Sequence, residues 1–445
     1  MTRNALGAPS QTPLRKVLTT RLLYFFILGD VLGAGVYVLI GEVAGKSGGA
    51  VWVPLTAALL LALLTAASYA ELATKYPRAG GASHYATRAF GPVVGFLAGY
   101  CMLAAGIVSV AALARGFAGD YLGAFVTLPV AVVAVVFLGL LALLNARGIR
   151  ESTRANTYAT LIETGGLLLV IGLGAWVLLR GDGDLGRLTQ LGTDTASPMT
   201  AVLAGAVLAY YSFVGFETSV NVAEETLDPR RSYPKALFGA LLTAGLVYAA
   251  VGAAASAAVP TDVLASSDGP LLEVVKVAGG VPEKLFALIA LVAVANGALL
   301  TGIMTSRLAY GMSREGLLPA FLTRVLPERR TPWAAVAATT ALSALLATTG
   351  EVDVLAGTLV LLLLAVFLTV NTAVLVLRRD SDAPQDHFRT PTAVPVLGAL
   401  SCVGLATQIE AEVWLRGLVL LAVGVALGAL TLWQRRRAGA ATPSA

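Results

Sequence analysis

The sequence predicts an all-α integral membrane protein with twelve transmembrane helices. Three observations carry that expectation. First, 57% of the 445 residues are hydrophobic and only 13% are charged, against about 25% charged in an ordinary soluble domain. Second, residues 47–70, 89–114, 121–146, 195–216, 236–261, 285–306, 331–350, 354–377 and 390–409 contain no Asp, Glu, Lys or Arg. Each is close to the ~20 apolar residues that cross a bilayer as a helix. Third, the charges fall on one side: with both termini inside and the loops alternating, 24 of the 31 cations face inward. That bias sets orientation in membranes.

The spans read in order as 22–46, 49–73, 84–114, 127–146, 156–179, 199–224, 235–259, 284–312, 332–349, 354–378, 391–410 and 414–434. Stretch 22–45 is interrupted only by Asp30 and Glu42, and 155–179 only by Glu163. Continuous apolar runs exclude a β-barrel, whose strands alternate in register with the lipid. Low charge and high hydropathy exclude a disordered chain and a nucleic-acid-binding module. Trp52, Trp176, Trp333, Trp414 and Trp433 all lie near span ends, where interfacial anchoring is expected. Cys101 and Cys402 fall inside spans and read as buried thiols. The expected organisation is a cytoplasmic tail (1–21), a first repeat (22–180), a second repeat (199–378), two further spans (391–434) and a cytoplasmic tail (435–445).

Two spans are flawed. Span 1 carries Gly29-Asp30-Val31-Leu32-Gly33-Ala34-Gly35, and span 6 carries Tyr210-Tyr211-Ser212-Phe213-Val214-Gly215-Phe216-Glu217. Glycine costs about 1 kcal/mol in a helix interior, and a carboxylate at mid-bilayer at least ~2.5 kcal/mol. The two segments sit five spans apart, so they run in opposite directions. That is the mark of a 5+5 inverted repeat whose first helices are broken. A break exposes amide N–H groups where the second half starts and carbonyls where the first half ends. Gly33, Ala34 and Gly35 leave room for a carboxylate. Carbonyls near Tyr211, Ser212 and Phe213 suit an ammonium. A zwitterion is the natural guest. Close helix packing through small residues is the alternative use of the glycines.

Leu32–Ala44 reads LGAGVYVLIGEVA, and Phe213–Glu225 reads FVGFETSVNVAEE, followed by Asp228-Pro229. Tyr69-Ala70-Glu71-Leu72 precedes Tyr76-Pro77-Arg78-Ala79-Gly80-Gly81, and span 8 ends in Ser306-Arg307-Leu308-Ala309-Tyr310-Gly311. Over residues 20–380 these motifs resemble the amino acid–polyamine–organocation superfamily, most of all its cationic amino acid transporter branch and the bacterial homologues of that branch. The resemblance implies a LeuT-like fold and secondary transport by alternating access. It implies an α-carboxylate held at Gly33, Ala34 and Gly35. The α-amino group would sit on carbonyls of Tyr211, Ser212 and Val214, with Phe213 or Phe216 as an aromatic gate. Gly215 completes the candidate substrate-binding set.

One departure stands out. Many proton-coupled bacterial relatives carry Lys in the middle of span 5, and the matching position here is Glu163. The expectation is that Glu163 carries a proton. A structural role, or a cation held with Thr305 and Ser306 of span 8, are the alternatives. Glu217 and Asp30 are further proton-coupling candidates, each with a structural alternative. Asn296 and Thr301 could face the pocket. The Glu224-Glu225 pair with Asp228, Arg230 and Arg231 reads as a charge cluster at the cytoplasmic side. His84 and His387 receive no role.

The expected function is therefore proton-coupled amino acid transport in the inner (cytoplasmic) membrane. An amino acid or polyamine exchanger is the alternative, and a non-transporting sensor is a weaker one. No H-E-x-x-H motif or Cys/His cluster occurs, which argues against an enzyme. No cofactor, metal or nucleic acid is expected. The expected partners are the amino acid, protons and the lipid bilayer. The particular amino acid and the oligomeric state stay open.

Overall fold

The computed structural model describes residues 18–77, 81–147, 152–192, 196–327, 329, 331–380 and 386–440. Within these, the side chains of 152–157, 222, 224–225 and 430–440 are not described. Much of both expected tails, Arg78-Ala79-Gly80, the Glu224-Glu225 carboxylates and the Trp433 side chain thus lie outside the described residues. Among the described residues the chain is helical, and its only β-type pairing is isolated bridging such as Leu18 with Thr226.

The helices are α1 (Thr20–Val31), α2 (Gly35–Ser47), α3 (Trp52–Lys75), α4 (Gly81–Phe90), α5 (Pro92–Ala118), α6 (Asp120–Gly123), α7 (Val130–Arg147), α8 (Ser152–Leu179), α9 (Pro198–Tyr211), α10 (Pro229–Ala258), α11 (Thr261–Ser266), α12 (Pro270–Ala278), α13 (Glu283–Arg314), α14 (Trp333–Thr349), α15 (Val352–Leu377), α16 (Ala393–Ala406) and α17 (Ala411–Ala440). Among the described residues, eight are long and apolar enough to span a bilayer: α3, α5, α7, α8, α10, α13, α15 and α17. Helices α1 and α2 qualify together as a pair bent by 49°, and α9, α14 and α16 are shorter apolar helices.

Local sequence explains where the helices start. Thr19 Oγ1 accepts from the Leu22 amide ahead of α1, and Ser197 Oγ accepts from the Thr200 amide ahead of α9. Such caps take up amides that have no partner inside the helix. Pro92, Pro198, Pro229 and Pro270 each occupy a first helical turn, where the missing N–H costs nothing. Burial then sorts the spans. Over an apolar stretch of each helix, α5 is 72% buried and α15 67%, against 22% for α17 and 33% for α7. The first two form the core, and α7 and α17 turn mostly apolar surface outward, as lipid contact requires.

One end of the bundle gathers the cations. There α3 is tied to the end of α15 by a fork-like ion pair. Arg378 Nε and Nη2 donate to Glu71 Oε1 and Oε2, both at 2.7 Å. The Thr390 amide and hydroxyl donate to the same carboxylate at 3.0 Å. Lys75 Nζ donates to the Leu377 carbonyl at 2.7 Å, and Arg88 donates to Asp380. The motif around Tyr69–Pro77 therefore builds a strut. The Glu71 and Arg378 side chains are only 1% and 9% exposed. Removing one partner of such a pair costs about 3–5 kcal/mol, because the other charge stays buried alone. Glu71→Ala is expected to lower the thermal unfolding midpoint in detergent by several degrees, while Lys46→Ala, which breaks an exposed pair with Glu410, leaves it nearly unchanged.

Candidate functional site

Helix α1 ends at Val31 and α2 begins at Gly35. Between them the Gly33 amide bonds the Val31 carbonyl two residues back, at 2.7 Å. No side chain caps the start of α2, so its first amides point free of any intrahelical acceptor. The Tyr248 hydroxyl donates to the Val31 carbonyl at 2.5 Å, which steadies the end of α1. Helix α9 ends at Tyr211, and a 3-10 turn, Phe216–Glu225, continues the chain. The Ser212, Phe213 and Val214 amides close tight turns onto the carbonyls of Ala209, Tyr210 and Tyr211. The Tyr211 carbonyl thus already accepts from Val214.

The two breaks touch. A Cβ on Gly35 would stand 2.9 Å from Ser212 Cα. Gly215 has φ +127°, and a Cβ there would stand 2.8 Å from the Asp30 carbonyl. Only glycine meets both demands at 215. The Gly215 amide donates to Glu217 Oε2 at 2.9 Å, and Thr218 Oγ1 donates to Asp30 Oδ2 at 2.5 Å. Glu217 and Asp30 are therefore both engaged in holding the breaks.

A cavity of about 410 Å³ opens beside them. One wall comes from α1, the breaks and the 3-10 turn, with Asp30, Gly33, Ala34, Gly35, Tyr211, Ser212, Val214, Gly215 and Glu217. The facing wall comes from α5, α13 and α15, with Ser109, Gly297, Thr301, Thr305, Arg307, Leu359 and Leu363 among its residues. The cavity runs from the breaks toward the cation-rich end, past Ser83, Asn221 and Arg307. Near the breaks, Ser109 and the Tyr211 hydroxyl lie 3.0 Å apart and bond the two walls together.

Two expected features are placed differently. Phe213 and Phe216 are fully buried away from the cavity wall. Phe213 sits edge-on to Tyr248, and Phe216 stacks on Phe367 with Tyr69 at its edge. In this conformation neither ring covers the cavity. The second correction concerns the cation pocket of Glu163 with Thr305 and Ser306. Thr305 bonds the Thr301 carbonyl, and Ser306 bonds the Ile303 carbonyl and accepts from Asn145. Glu163 instead accepts from Asn296 through Oε1 at 2.9 Å. Asn296 lies nine residues before Thr305, about 13–14 Å along a helix. Only the rotation and stagger of two packed helices decide which turn of α13 faces Glu163, and motif order does not encode either.

Glu163 is buried behind the cavity wall at a junction of elements. Its backbone carbonyl accepts from the Tyr37 hydroxyl of α2 at 2.6 Å, and α8 packs on both α10 and α13. Its second carboxylate oxygen, Oε2, meets no partner among the described residues. Sequence reasoning missed Thr218, Tyr248 and Ser109, because lone hydroxyls in a helix carry no signal of their own. Arg307 was read as an inward-side cation within the closing motif of span 8, without a place in the cavity.

Comparison with known proteins adds a further finding. The profile of the family described as Amino acid permease matches residues 18–415. A branched-chain amino acid permease of Bacillus subtilis is 27% identical, over 90% of this chain and 89% of the relative. A methylthioribose transporter of the same organism is 25% identical, over 94% of each. A chloroplastic cationic amino acid transporter of Arabidopsis thaliana is 30% identical, over 72% of this chain and 60% of the relative.

Proposed function

The chain belongs to the amino acid permease family, and from that premise we propose that it moves amino acids across the cytoplasmic membrane by alternating access, with a proton as the coupling ion. The family and the relatives are permeases and transporters, not enzymes. The single observation that carries the substrate reading is the contact of the two breaks, Gly35 against Ser212, at the head of one cavity. Free amides at the start of α2 suit an α-carboxylate, and carbonyls at 212–214 suit an α-ammonium. In this reading Gly33, Ala34 and Gly35 frame the acid end and the Ser212 and Val214 carbonyls the amino end, while Gly215, whose carbonyl accepts from Thr218, shapes the break. Tyr211 forms the wall nearest Ser109.

We read twelve crossings, with α1 and α2 as one and the shorter α9, α14 and α16 included, in a LeuT-like 5+5 repeat plus two. Both termini lie inside, which puts the cation-rich end, and the mouth of the cavity, on the cytoplasmic side. Glu163 is the proposed proton carrier. It sits on α8, its carboxylate accepts from α13 and its main-chain carbonyl from α2, so a change in its charge bears on both cavity walls.

A thermal-shift screen of the detergent-purified protein tests the substrate class. Twenty amino acids, common polyamines and methylthioribose form the set. A true ligand at a hundred times its Kd stabilises the folded state by about 2.7 kcal/mol. A rise with one or more α-amino acids, absent with the matching amines and acids that lack one end, is the expected outcome. A response to methylthioribose alone overturns it. Uptake into liposomes with and without internal substrate then separates net transport from obligate exchange.

A further inference from the structure

Arg307 lies on the α13 wall of the cavity, half-buried. Its guanidinium meets no carboxylate or other hydrogen-bond partner among the described residues. That is unusual for a cation within a membrane helix, where such groups pair or face water. Here the guanidinium faces the open cavity. If the protein works by alternating access, as proposed above, the same cavity must also shut at this end. Shutting it removes the water and leaves an always-charged guanidinium needing a partner.

Two carboxylates line the same cavity, Asp30 and Glu217. Glu217 is 3% exposed and holds the Gly215 amide, so moving it would undo a break. Asp30 has a single side-chain bond, from Thr218 to Oδ2, and it sits on the opposite wall from Arg307. Helix α1 packs chiefly on α10 and the 3-10 turn, whereas α13 packs on α5, α8 and α14. The two charges therefore ride on different groups of helices. Both charges lie on the cation-rich side of the point where the two walls meet. Ala34 meets Gly297 of α13. Asp30 lies four residues toward the cation-rich end from Ala34, and Arg307 ten residues from Gly297. Arg307 thus lies further toward that end than Asp30, and its long stem spans the stagger as the walls approach. Ser83, Thr218, Asn221, Thr301 and Thr305 are among the other polar groups lining this cavity, and none of these is charged.

We infer that Arg307 and Asp30 pair across the cavity when it closes at the cation-rich end, and that this salt bridge latches the closed state. The test reads closure directly. Thr301→Cys places a thiol on the cavity wall, and the native Cys101 and Cys402 are buried. A membrane-impermeant thiol reagent is applied to the cytoplasmic face of vesicles. Arg307→Gln and Asp30→Asn are each expected to raise labelling about tenfold, by depleting the latched state. Arg307→Lys stays within about twofold of wild type. The exchanged pair Asp30→Arg/Arg307→Asp labels far less than either neutral variant. Labelling unchanged in both neutral variants, or an exchanged pair no better than they are, overturns the latch. Should the Asp30 variants fail to fold, Arg307→Gln against Arg307→Lys decides alone: equal labelling in those two overturns the latch as well. The thermal-shift response to amino acids, read on the same preparations, judges the transport reading separately.

Discussion

Replacing Glu163 with Gln is expected to separate substrate movement from proton movement. In liposomes, wild-type protein should carry protons inward with its substrate and accumulate substrate when a proton gradient is imposed. Glu163→Gln should lose about tenfold or more of that accumulation, equivalent to about 1.4 kcal/mol of coupling. Substrate counterflow, which needs no net proton movement, should persist. The variant suits the question because Gln keeps the shape and can still bond Asn296, so no cavity is opened. The side chain is buried, with one protein donor on Oε1 and none on Oε2 among the described residues. Ionising a carboxylate there is costly unless the surroundings rearrange. The groups that face it are neutral: Asn296 from α13 and Tyr37 from α2, with Tyr248 of α10 beyond the Val31 carbonyl. Rearrangement must therefore come from the helices, and that links the charge to the conformation. Accumulation in Glu163→Gln equal to wild type would take this residue out of the coupling.

The sequence made the helical class and the two interruptions legible for a physical reason. Charge-free runs of bilayer length and glycines beside a carboxylate are local costs, visible wherever they occur. Residues 32–34 and 212–215 are where the chain leaves regular helix. What stayed hidden depends on how helices rotate against one another. Phe213 and Phe216 follow a break in the chain, so the direction of their rings cannot be projected from helical periodicity, and both turn into aromatic clusters. Thr305 and Ser306 lie in the right helix on the wrong turn, while Asn296 takes the place beside Glu163. Arg307 counted as one more inward-side cation near the end of span 8, because charge counting cannot distinguish a helix end from the mouth of a cavity.

Three glycine-to-alanine changes at the breaks should differ in kind, and that difference isolates the main-chain site from the fold. At Gly33 a Cβ meets nothing closer than 3.6 Å, so Gly33→Ala should leave the thermal midpoint unchanged. The added methyl still projects beside the amides proposed to hold the carboxylate, and ligand binding should weaken about tenfold. At Gly35 the Cβ lands 2.9 Å from Ser212 Cα, a backbone atom that cannot swing aside. Gly35→Ala must prise the two breaks apart, so both stability and binding should fall, the binding by about a hundredfold. Gly215→Ala adds a backbone penalty of about 1–3 kcal/mol for its positive φ to the clash with the Asp30 carbonyl. It should be the least stable of the three. Isothermal titration with the best ligand from the amino acid screen, alongside thermal unfolding, measures both quantities. If Gly33→Ala and Gly35→Ala bind as tightly as wild type, substrate does not rest on the main chain at the breaks. Side chains on the facing wall, from Ser109 to Thr301, would then have to hold it instead.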